Sequence, residues 1–387
     1  TGVGAVAVLA GPVAVPLLTL PGDDGGGPAG QSPSPPAEAS FGFTMAFYDL
    51  RHGVAVYQPD DCRLHVSTTQ DGGATWSELR PVPELPGAVL DFSGEPGCRL
   101  DRVIPIAPGK LVLPLDASTL ARDEWVEPLT SALISHDAGQ TWQELEPETR
   151  TADVVPDGVV PQPHCLADPC QETRLGWYDP QTGNPTLLRN NPLAATPNAV
   201  ASVTADGTIW VSGTDAEDGY LVSVSRDRGH TWQDGSPGRA DEVGPDDWVM
   251  LAASDGQTAY VGNRPSDTTS QTGATFRTVD GGQTWRRLAG QPALDRAEAM
   301  WASPDGTLAV HDAGARTHLS TDLGETFQEN QLLMLDVERI VGGFFGWHQG
   351  DPTGAAISGA LSEDGVHWQL FPVPGPPPAA GGPAVSD

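Results

Sequence analysis

The sequence has little positive charge. Its 387 residues include 20 Lys and Arg against 51 Asp and Glu, which gives a net charge of −31, and Lys110 is the only lysine. A surface this negative repels phosphate groups and anionic lipid head groups. We therefore expect no binding to nucleic acid, and we expect membrane contact only through residues 1–20.

Long stretches free of helix breakers are also scarce. Gly (46 residues) and Pro (37 residues) together make up about one residue in five. At this density they interrupt helices every few residues, which argues against a mostly helical protein. The composition approaches that of disordered chains, but the 11 Trp residues indicate a packed core.

The sequence contains only four cysteines, at Cys62, Cys98, Cys165 and Cys170. The segment His164-Cys-Leu-Ala-Asp-Pro-Cys170 lacks the second ligand pair that a structural zinc site needs. Two disulfides in an exported protein fit this set better, and Cys62–Cys98 with Cys165–Cys170 is one of three possible pairings. We expect neither a metal site nor a cofactor.

The two ends of the sequence differ from its middle. Residues 1–20 are nearly all apolar and uncharged, and they are long enough to cross a bilayer, so they are predicted to be a signal segment or a membrane anchor. Residues 21–40 are predicted to be a flexible Gly/Pro/Ser linker, and residues 372–387 a disordered Pro/Gly tail. This leaves 41–371 as the folded domain of an extracellular or cell-surface protein.

One short pattern, Ser/Thr-x-Asp-x-Gly-x-Thr-Trp, recurs along the chain, and we call each copy a repeated turn. A short apolar segment precedes each copy and a polar one follows it, which predicts the turn of a β-hairpin. The Asp accepts backbone N–H bonds, the Gly adopts positive φ, and the aromatic residue packs on a neighbouring sheet. The six pairs of Asp and aromatic residue are Asp71 and Trp76, Asp137 and Trp142, Asp227 and Trp232, Asp280 and Trp285, Asp322 and Phe327, and Asp364 and Trp368, the last copy being one residue shorter and lacking the Thr.

The spacing of the repeated turns predicts an all-β propeller. Successive aspartates are 66, 90, 53, 42 and 42 residues apart, and 42 residues in four short strands is the length of one propeller blade. The gap of 90 holds Arg174–Tyr178, a turn at Asp179–Gly183 and Pro185–Arg189, which we interpret as a blade without the repeated turn. The prediction is therefore seven four-stranded blades, or six if residues 146–195 are only an insertion.

The repeated turns resemble the Asp-box, or BNR, repeats of the sialidase-like propeller superfamily. The segments Phe47–Val56 and Thr275–Trp285 resemble in style the propellers of the photosystem II stability and assembly factor type, and the repeats also resemble those of sortilin-type propellers. The resemblance implies that these hairpins lie on the rim of the propeller and are structural. It leaves the function open, because the superfamily contains both enzymes and binding proteins.

The resemblance also suggests an alternative function, that of an exo-α-sialidase-like glycoside hydrolase. Such a site needs three arginines that clamp a carboxylate, a Tyr nucleophile with a Glu partner, and an Asp acid/base. Arg102-Val-Ile-Pro105 is similar to the family's Arg-Ile-Pro motif but has one extra residue. Asp116 or Asp123 would take the place of the acid/base.

Other roles of a sialidase have no counterpart in the sequence. Arg264, Arg316 and Arg339 are candidates for the second and third arginines, but they match no motif, and no Tyr follows Tyr260. We therefore expect a monomeric, non-catalytic scaffold that binds a protein or a glycan at one end of the propeller channel. The segments predicted to be insertions on a face are 58–63, 80–100, 146–173 and 263–273.

Overall fold

The computed structural model describes most of the region predicted to fold. The described residues are 42–58, 63–82, 103–114, 132–145, 148–165, 173–192, 199–215, 219–237, 248–264, 273–288, 292–314, 316–330, 332–349 and 357–374. The apolar segment 1–20 and the linker 21–40 lie outside them, so both assignments remain predictions. The last strand ends at Pro372, one residue into the predicted tail, and 375–387 again lie outside the described residues.

The first three sheets follow one another along the chain. Blade 1 contains β1 (Gly42–Phe47), β2 (Gly53–Gln58), β3 (His65–Thr69) and β4 (Arg80–Pro81). Blade 2 contains β5 (Ile104–Ala107), β6 (Lys110–Pro114), β7 (Ala132–Ser135) and β8 (Gln143–Leu145). Blade 3 contains β9 (Arg150–Ala152), β10 (Gln162–Cys165), β11 (Thr173–Tyr178) and β12 (Pro185–Leu188).

The remaining four sheets use consecutive strands. Blade 4 contains β13 (Val200–Val203), β14 (Ile209–Asp215), β15 (Gly219–Ser225) and β16 (Gln233–Gly235). Blade 5 contains β17 (Trp248–Ala253), β18 (Ala259–Arg264), β19 (Thr275–Thr278) and β20 (Arg286–Leu288). A short helix, α1 (Pro292–Asp295), precedes blade 6, which contains β21 (Ala297–Ala302), β22 (Leu308–Asp312), β23 (Arg316–Ser320) and β24 (Gln328–Asn330). Blade 7 contains β25 (Met334–Ile340), β26 (Gly343–Gln349), β27 (Ile357–Ser362) and β28 (Gln369–Pro372).

Seven four-stranded sheets confirm the seven-bladed propeller and rule out the six-bladed alternative. Six of the sheets are antiparallel meanders, in which each strand pairs with the next one along the chain. Several predicted strands agree closely with the structure. The segment Trp248–Ala253 is β17, and Pro185–Arg189 exceeds β12 by one residue.

Blade 3, which lacks the repeated turn, is built differently. Its strand order is β10-β11-β12-β9, and β9 pairs with β12 in parallel. Segment 146–173 was predicted to be an insertion, and this prediction is wrong because the segment supplies both the first and the outermost strand of the blade. The predicted pair of strands around Asp179–Gly183 is correct, and it forms the second and third strands of the blade.

A hydrophobic cluster fills each interface between neighbouring blades. Seven such clusters occur among the described residues, and each combines side chains from two adjacent blades. Between blades 4 and 5, for example, Trp210 and Phe276 are at most 4% exposed. The core is therefore divided into radial layers, and each sheet buries both of its faces, as in other propellers.

The direction of the strands defines two faces of the propeller. In an antiparallel blade the first and third strands run the same way, and each repeated turn follows the third strand. All six repeated turns therefore lie at the face where the first strands end, which we call the turn face. The opposite face, where the first strands begin, is called the start face.

Candidate functional site

Five of the repeated turns contain the same hydrogen bonds. In the turn of Asp280, Oδ1 accepts the backbone N–H of Thr284 at 2.9 Å, and Oδ2 accepts its hydroxyl at 2.5 Å. The hydroxyl of Thr278 donates to Oδ1 at 2.8 Å and accepts the N–H of Gly282 at 3.0 Å. The turns of Asp71, Asp137, Asp227 and Asp322 repeat this pattern with every distance between 2.6 and 2.9 Å.

The sixth repeated turn replaces the missing Thr with a histidine. Asp364 accepts the backbone N–H of His367 at 2.8 Å, and its other oxygen lies 2.7 Å from Nδ1 of the same histidine. These bonds hold the pKa of Asp364 well below its usual range despite partial burial, and the carboxylate in turn raises the pKa of His367. The Asp364 carboxylate therefore accepts hydrogen bonds across the turn as in the other five copies, but from His367 instead of a Thr.

The hydrogen bonds keep the turn aspartates ionised. Bonds from the Thr284 hydroxyl and N–H lower the pKa of Asp280 to about 2, and the equivalent bonds from Thr326 lower that of Asp322 to about 2. A carboxylate that accepts several hydrogen bonds is stabilised in its charged form. Each of these groups is saturated by its own turn, so the turns are built for local structure rather than for proton transfer.

The aromatic residue of each repeated turn packs on the preceding blade. Trp285 meets Trp210 edge-on at 6.4 Å between ring centroids, and Trp368 meets Trp301 in the same way, also at 6.4 Å. Trp232 donates its indole N–H to the carbonyl of Asn190 in blade 3 at 2.8 Å. Trp76, Trp142 and Phe327 pack against the clusters that separate blades 7 and 1, 1 and 2, and 5 and 6.

Several residues singled out by the sequence fall outside the described part of the chain. These are the sialidase candidates Arg102, Asp116 and Asp123, and the cysteines Cys62, Cys98 and Cys170. Cys165 is the last residue of β10. The disulfides and the alternative catalytic roles remain predictions.

The three arginines without a motif lie in different blades. Arg264 ends β18 and lies 3.6 Å from Glu298, and Arg316 begins β23 and lies 3.4 Å from Glu329. Arg339, in β25, instead contacts the aromatic ring of Phe344. Since each has its own partner, they do not form a clamp around one point.

A cavity of about 180 Å³ lies in the channel beside Arg339. The first strands of blades 3 to 7 form most of its wall, and five of the fourteen lining side chains are Ala or Ser. These five are Ala201, Ser202, Ala252, Ala253 and Ala302. This volume is many times the minimum of about 10–15 Å³ that holds one water molecule, so the cavity has room for an amino-acid side chain.

Arg339 is the positively charged residue among the described residues that line this cavity. Its guanidinium carbon lies 4.8 Å from the centroid of Phe344, and one Nη donates to the carbonyl of Ala302 at 3.4 Å. Desolvation lowers the pKa of Arg339 to about 10, although Asp206 opposes the shift, so the group stays charged at neutral pH. Of its five N–H donors, one is used within the described residues, which leaves the others available to a bound acceptor.

A second group of interacting polar and aromatic side chains lies at the start face. Trp248 begins β17 and is paired across the sheet with Arg264, which reaches Glu298 in blade 6. The next blade contributes Asp336, whose pKa is raised by desolvation and by repulsion from Glu298. Asp336 as a whole residue is nevertheless exposed at the surface. No sequence motif marks the group, because its members come from three blades.

No helix among the described residues is long and apolar enough to cross a membrane.

Comparisons with known proteins give similarity in structure only. No known family model matches the sequence, and no curated protein matches it significantly. Solved structures similar to it include YCF48 from Cyanidioschyzon merolae, with a TM-score of 0.44 and 12% identity over 81% of this chain and 94% of that one. YCF48 bound to D1 peptide has a TM-score of 0.37 and 15% identity over 71% and 89% of the two chains. An ulvan lyase of polysaccharide lyase family PL25 has a TM-score of 0.40 and 12% identity over 84% and 91%.

Proposed function

We propose that this protein is a non-catalytic propeller that binds a partner protein by anchoring one of its side chains in the channel cavity. The observation that carries the proposal is Arg339, a desolvated guanidinium fixed against Phe344 beside a cavity of about 180 Å³. A fixed guanidinium loses little freedom when it binds an acceptor, so a carboxylate or amide oxygen of the partner fits the site.

The lining of the cavity favours binding over glycoside hydrolysis. Hydrolysis needs two carboxyl groups, about 5 to 9.5 Å apart, on either side of the substrate bond. Among the described lining residues, the ionisable ones are Glu338 and Arg339, and the carboxylate oxygens of Glu338 are buried. The described part of the wall therefore supplies one carboxyl group, and not the pair that a glycosidase requires.

The proposal is tested by partner capture with the full chain. Arg339→Met keeps an unbranched apolar side chain and removes the guanidinium donors, whereas Arg316→Met removes an exposed arginine elsewhere. We expect wild type and Arg316→Met to retain the same partner from extracts of the source organism, and Arg339→Met to lose it. Equal retention by all three would contradict the cavity as the anchor.

A turnover assay separates this function from the alternative one. Incubation with a fluorogenic sialoside should release no fluorophore. Hydrolysis that is abolished by Arg102→Ala would replace the binding proposal with the sialidase-like one.

We also propose that the protein is an exported monomer of the sialidase-like superfamily, and that the repeated turns are Asp-boxes. The identical hydrogen bonds of five turns and the four cysteines support this. Alkylation of the exported protein followed by non-reducing gels tests the disulfides, and four free thiols would contradict them. Light scattering tests the monomer.

A further inference from the structure

We propose that the start face carries a docking site for a basic protein segment, formed by Trp248, Arg264, Glu298 and Asp336. This site goes beyond the proposed anchor, because none of its four residues lines the cavity beside Arg339. It would contact a different part of the partner or a different partner.

The four side chains form a continuous row across three blades. Trp248 and Arg264 are directly paired on neighbouring strands of blade 5, where side chains lie about 5 Å apart. Arg264 Nη2 lies 3.6 Å from an oxygen of Glu298, in blade 6. Glu298 acts electrostatically on Asp336, in blade 7. The row therefore runs around the channel, along the beginnings of β17, β21 and β25.

Two irregular strands place the carboxylates in this row. The pairing of β21 with β22 shifts register between Ala297 and Ala299, at Glu298. The pairing of β25 with β26 shifts between Leu335 and Glu338, and Asp336 there has a φ of +46°. A side chain other than Gly resists this conformation, and such strain tends to persist where a site requires it. Regular strands would have turned these two carboxylates to other positions.

The charges of the row are not balanced within the protein. Asp336 receives no ion pair or hydrogen bond from the residues that the structure describes, and it is repelled by Glu298. Arg264 contacts Glu298, and at 3.6 Å it is too distant for a hydrogen bond with that carboxylate. A second cation at this position would relieve the repulsion. The chain itself has only 20 Lys and Arg against 51 acidic residues, so a partner is the natural source.

Trp248 specifies what kind of cation fits. It is the one exposed Trp of the ten that the structure describes, with 45% of its surface accessible. The face of an indole attracts the guanidinium of Arg or the ammonium of Lys, and Trp is the best aromatic partner for both. Exposed Trp and Arg are also the residues that contribute most at protein interfaces. Within one basic segment, one Lys or Arg can therefore stack on Trp248 in blade 5 while another pairs with Asp336 in blade 7.

The net charge of −31 favours the same class of partner. A negative surface attracts basic segments over a distance of about one Debye length and accelerates their association. A neutral glycan could stack on Trp248, but it would leave the two carboxylates unpaired. We therefore assign the site to a basic peptide segment, and glycan binding becomes an outcome of the test.

The experiment measures binding of fluorescein-labelled peptides to the full chain by anisotropy. The probes are an Arg/Lys-rich peptide of about ten residues and its Gln-substituted neutral counterpart. The site variant is Glu298→Gln with Asp336→Asn, and Asn tolerates positive φ well. The control variant, Glu144→Gln with Glu363→Gln, removes two exposed carboxylates elsewhere and so has the same net charge.

We expect the basic peptide to bind wild type at least tenfold more tightly than the neutral one. The site variant should lose about tenfold or more, the control variant less than threefold, and Trp248→Ala about fivefold. If the site and control variants bound the basic peptide with equal affinity, the net charge of the protein alone would explain the binding. That result would overturn the proposal. Binding of neutral oligosaccharides that Trp248→Ala abolishes would overturn it in favour of a glycan. Neither result bears on the Arg339 anchor, which has its own variants.

Discussion

The rings of Phe47 and Phe345 stack with their centroids 4.9 Å apart and an angle of 30° between their planes, and this contact joins the first blade to the last. Blade 1 is built entirely from residues 42–81 and blade 7 entirely from residues 334–372, so no strand is shared across the closure. Side chains of both blades close the ring, helped by a hydrogen bond from the Val341 N–H to the Tyr48 carbonyl at 3.2 Å. The Tyr57 hydroxyl also donates to the carbonyl of Pro374.

We predict that Phe345→Ala destabilises the whole propeller. Both Phe47 and Phe345 are fully buried, and replacing a buried Phe by Ala costs about 3–5 kcal/mol. Urea unfolding should show this loss, whereas Leu370→Ala in the same blade, 43% exposed, should change the free energy by less than about 0.5 kcal/mol. Similar losses in the two variants would mean that the closure does not depend on this stacking.

Two glycines of the turn face should respond differently to substitution. Gly306 has a φ of +93° and open space around it, so Gly306→Ala isolates the cost of the backbone conformation, about 1–2 kcal/mol. Gly73 has a φ of +83°, and a Cβ there would come within 2.4 Å of the Phe371 ring. Gly73→Ala should therefore lower the melting temperature more than Gly306→Ala does. The reverse order would show that Phe371 moves aside easily.

We predict that the side chain of Asn191 stabilises blade 3. Its side chain accepts the N–H of Leu175 at 3.1 Å and donates to the carbonyl of Thr173 at 2.7 Å, so it binds the backbone of β11. Asn191→Ala would leave both groups without these partners in a buried strand, at a cost of about 1–3 kcal/mol each. The control is Asn190→Ala, whose exposed side chain makes one bond to the His230 carbonyl. Unfolding free energies of equal size in the two variants would contradict this role.

The turn aspartates predict a specific sensitivity to acid. The pKa values of Asp280 and Asp322 fall from 3.8 in the unfolded chain to about 2 in the fold. Their contribution to stability is therefore complete above pH about 4 and is lost as the pH falls through about 2. Asp280→Asn with Asp322→Asn should lower the melting temperature at pH 7, and the difference from wild type should shrink between pH 4 and pH 2. A difference that stays constant over this range would exclude ionisation as its cause; Glu144→Gln serves as the control.

The repeated turns could be recognised from the sequence because all their bonds are local. In the turn of Asp280 every partner lies within four residues along the chain. The same residues therefore produce the same turn in any blade, and their spacing predicts the blade length. The aromatic residue at the end of each turn has a fixed position in this unit, which is why its packing on a neighbouring sheet could also be anticipated.

The two proposed sites could not be predicted in the same way. Arg339 was only one of three arginines without a motif, and what distinguishes it is a cavity wall to which five blades contribute. Trp248, Glu298 and Asp336 come from three blades, and the last two lie at register shifts of one residue, which leave no mark in a sequence of this composition. Blade 3 shows the same limit, because β9 has only three residues and pairs with a strand more than 30 positions away.

The sequence by itself determined the unit of this protein, a four-stranded blade with a turn held by bonds between near neighbours. Only the tertiary structure decided which strand completes blade 3, how Phe47 and Phe345 close the ring, and which side chains meet at the two ends of the channel. The physical reason is the range of the interactions. A turn is specified by a few adjacent residues, whereas the closure and the sites depend on packing between segments that are brought together by the whole ring.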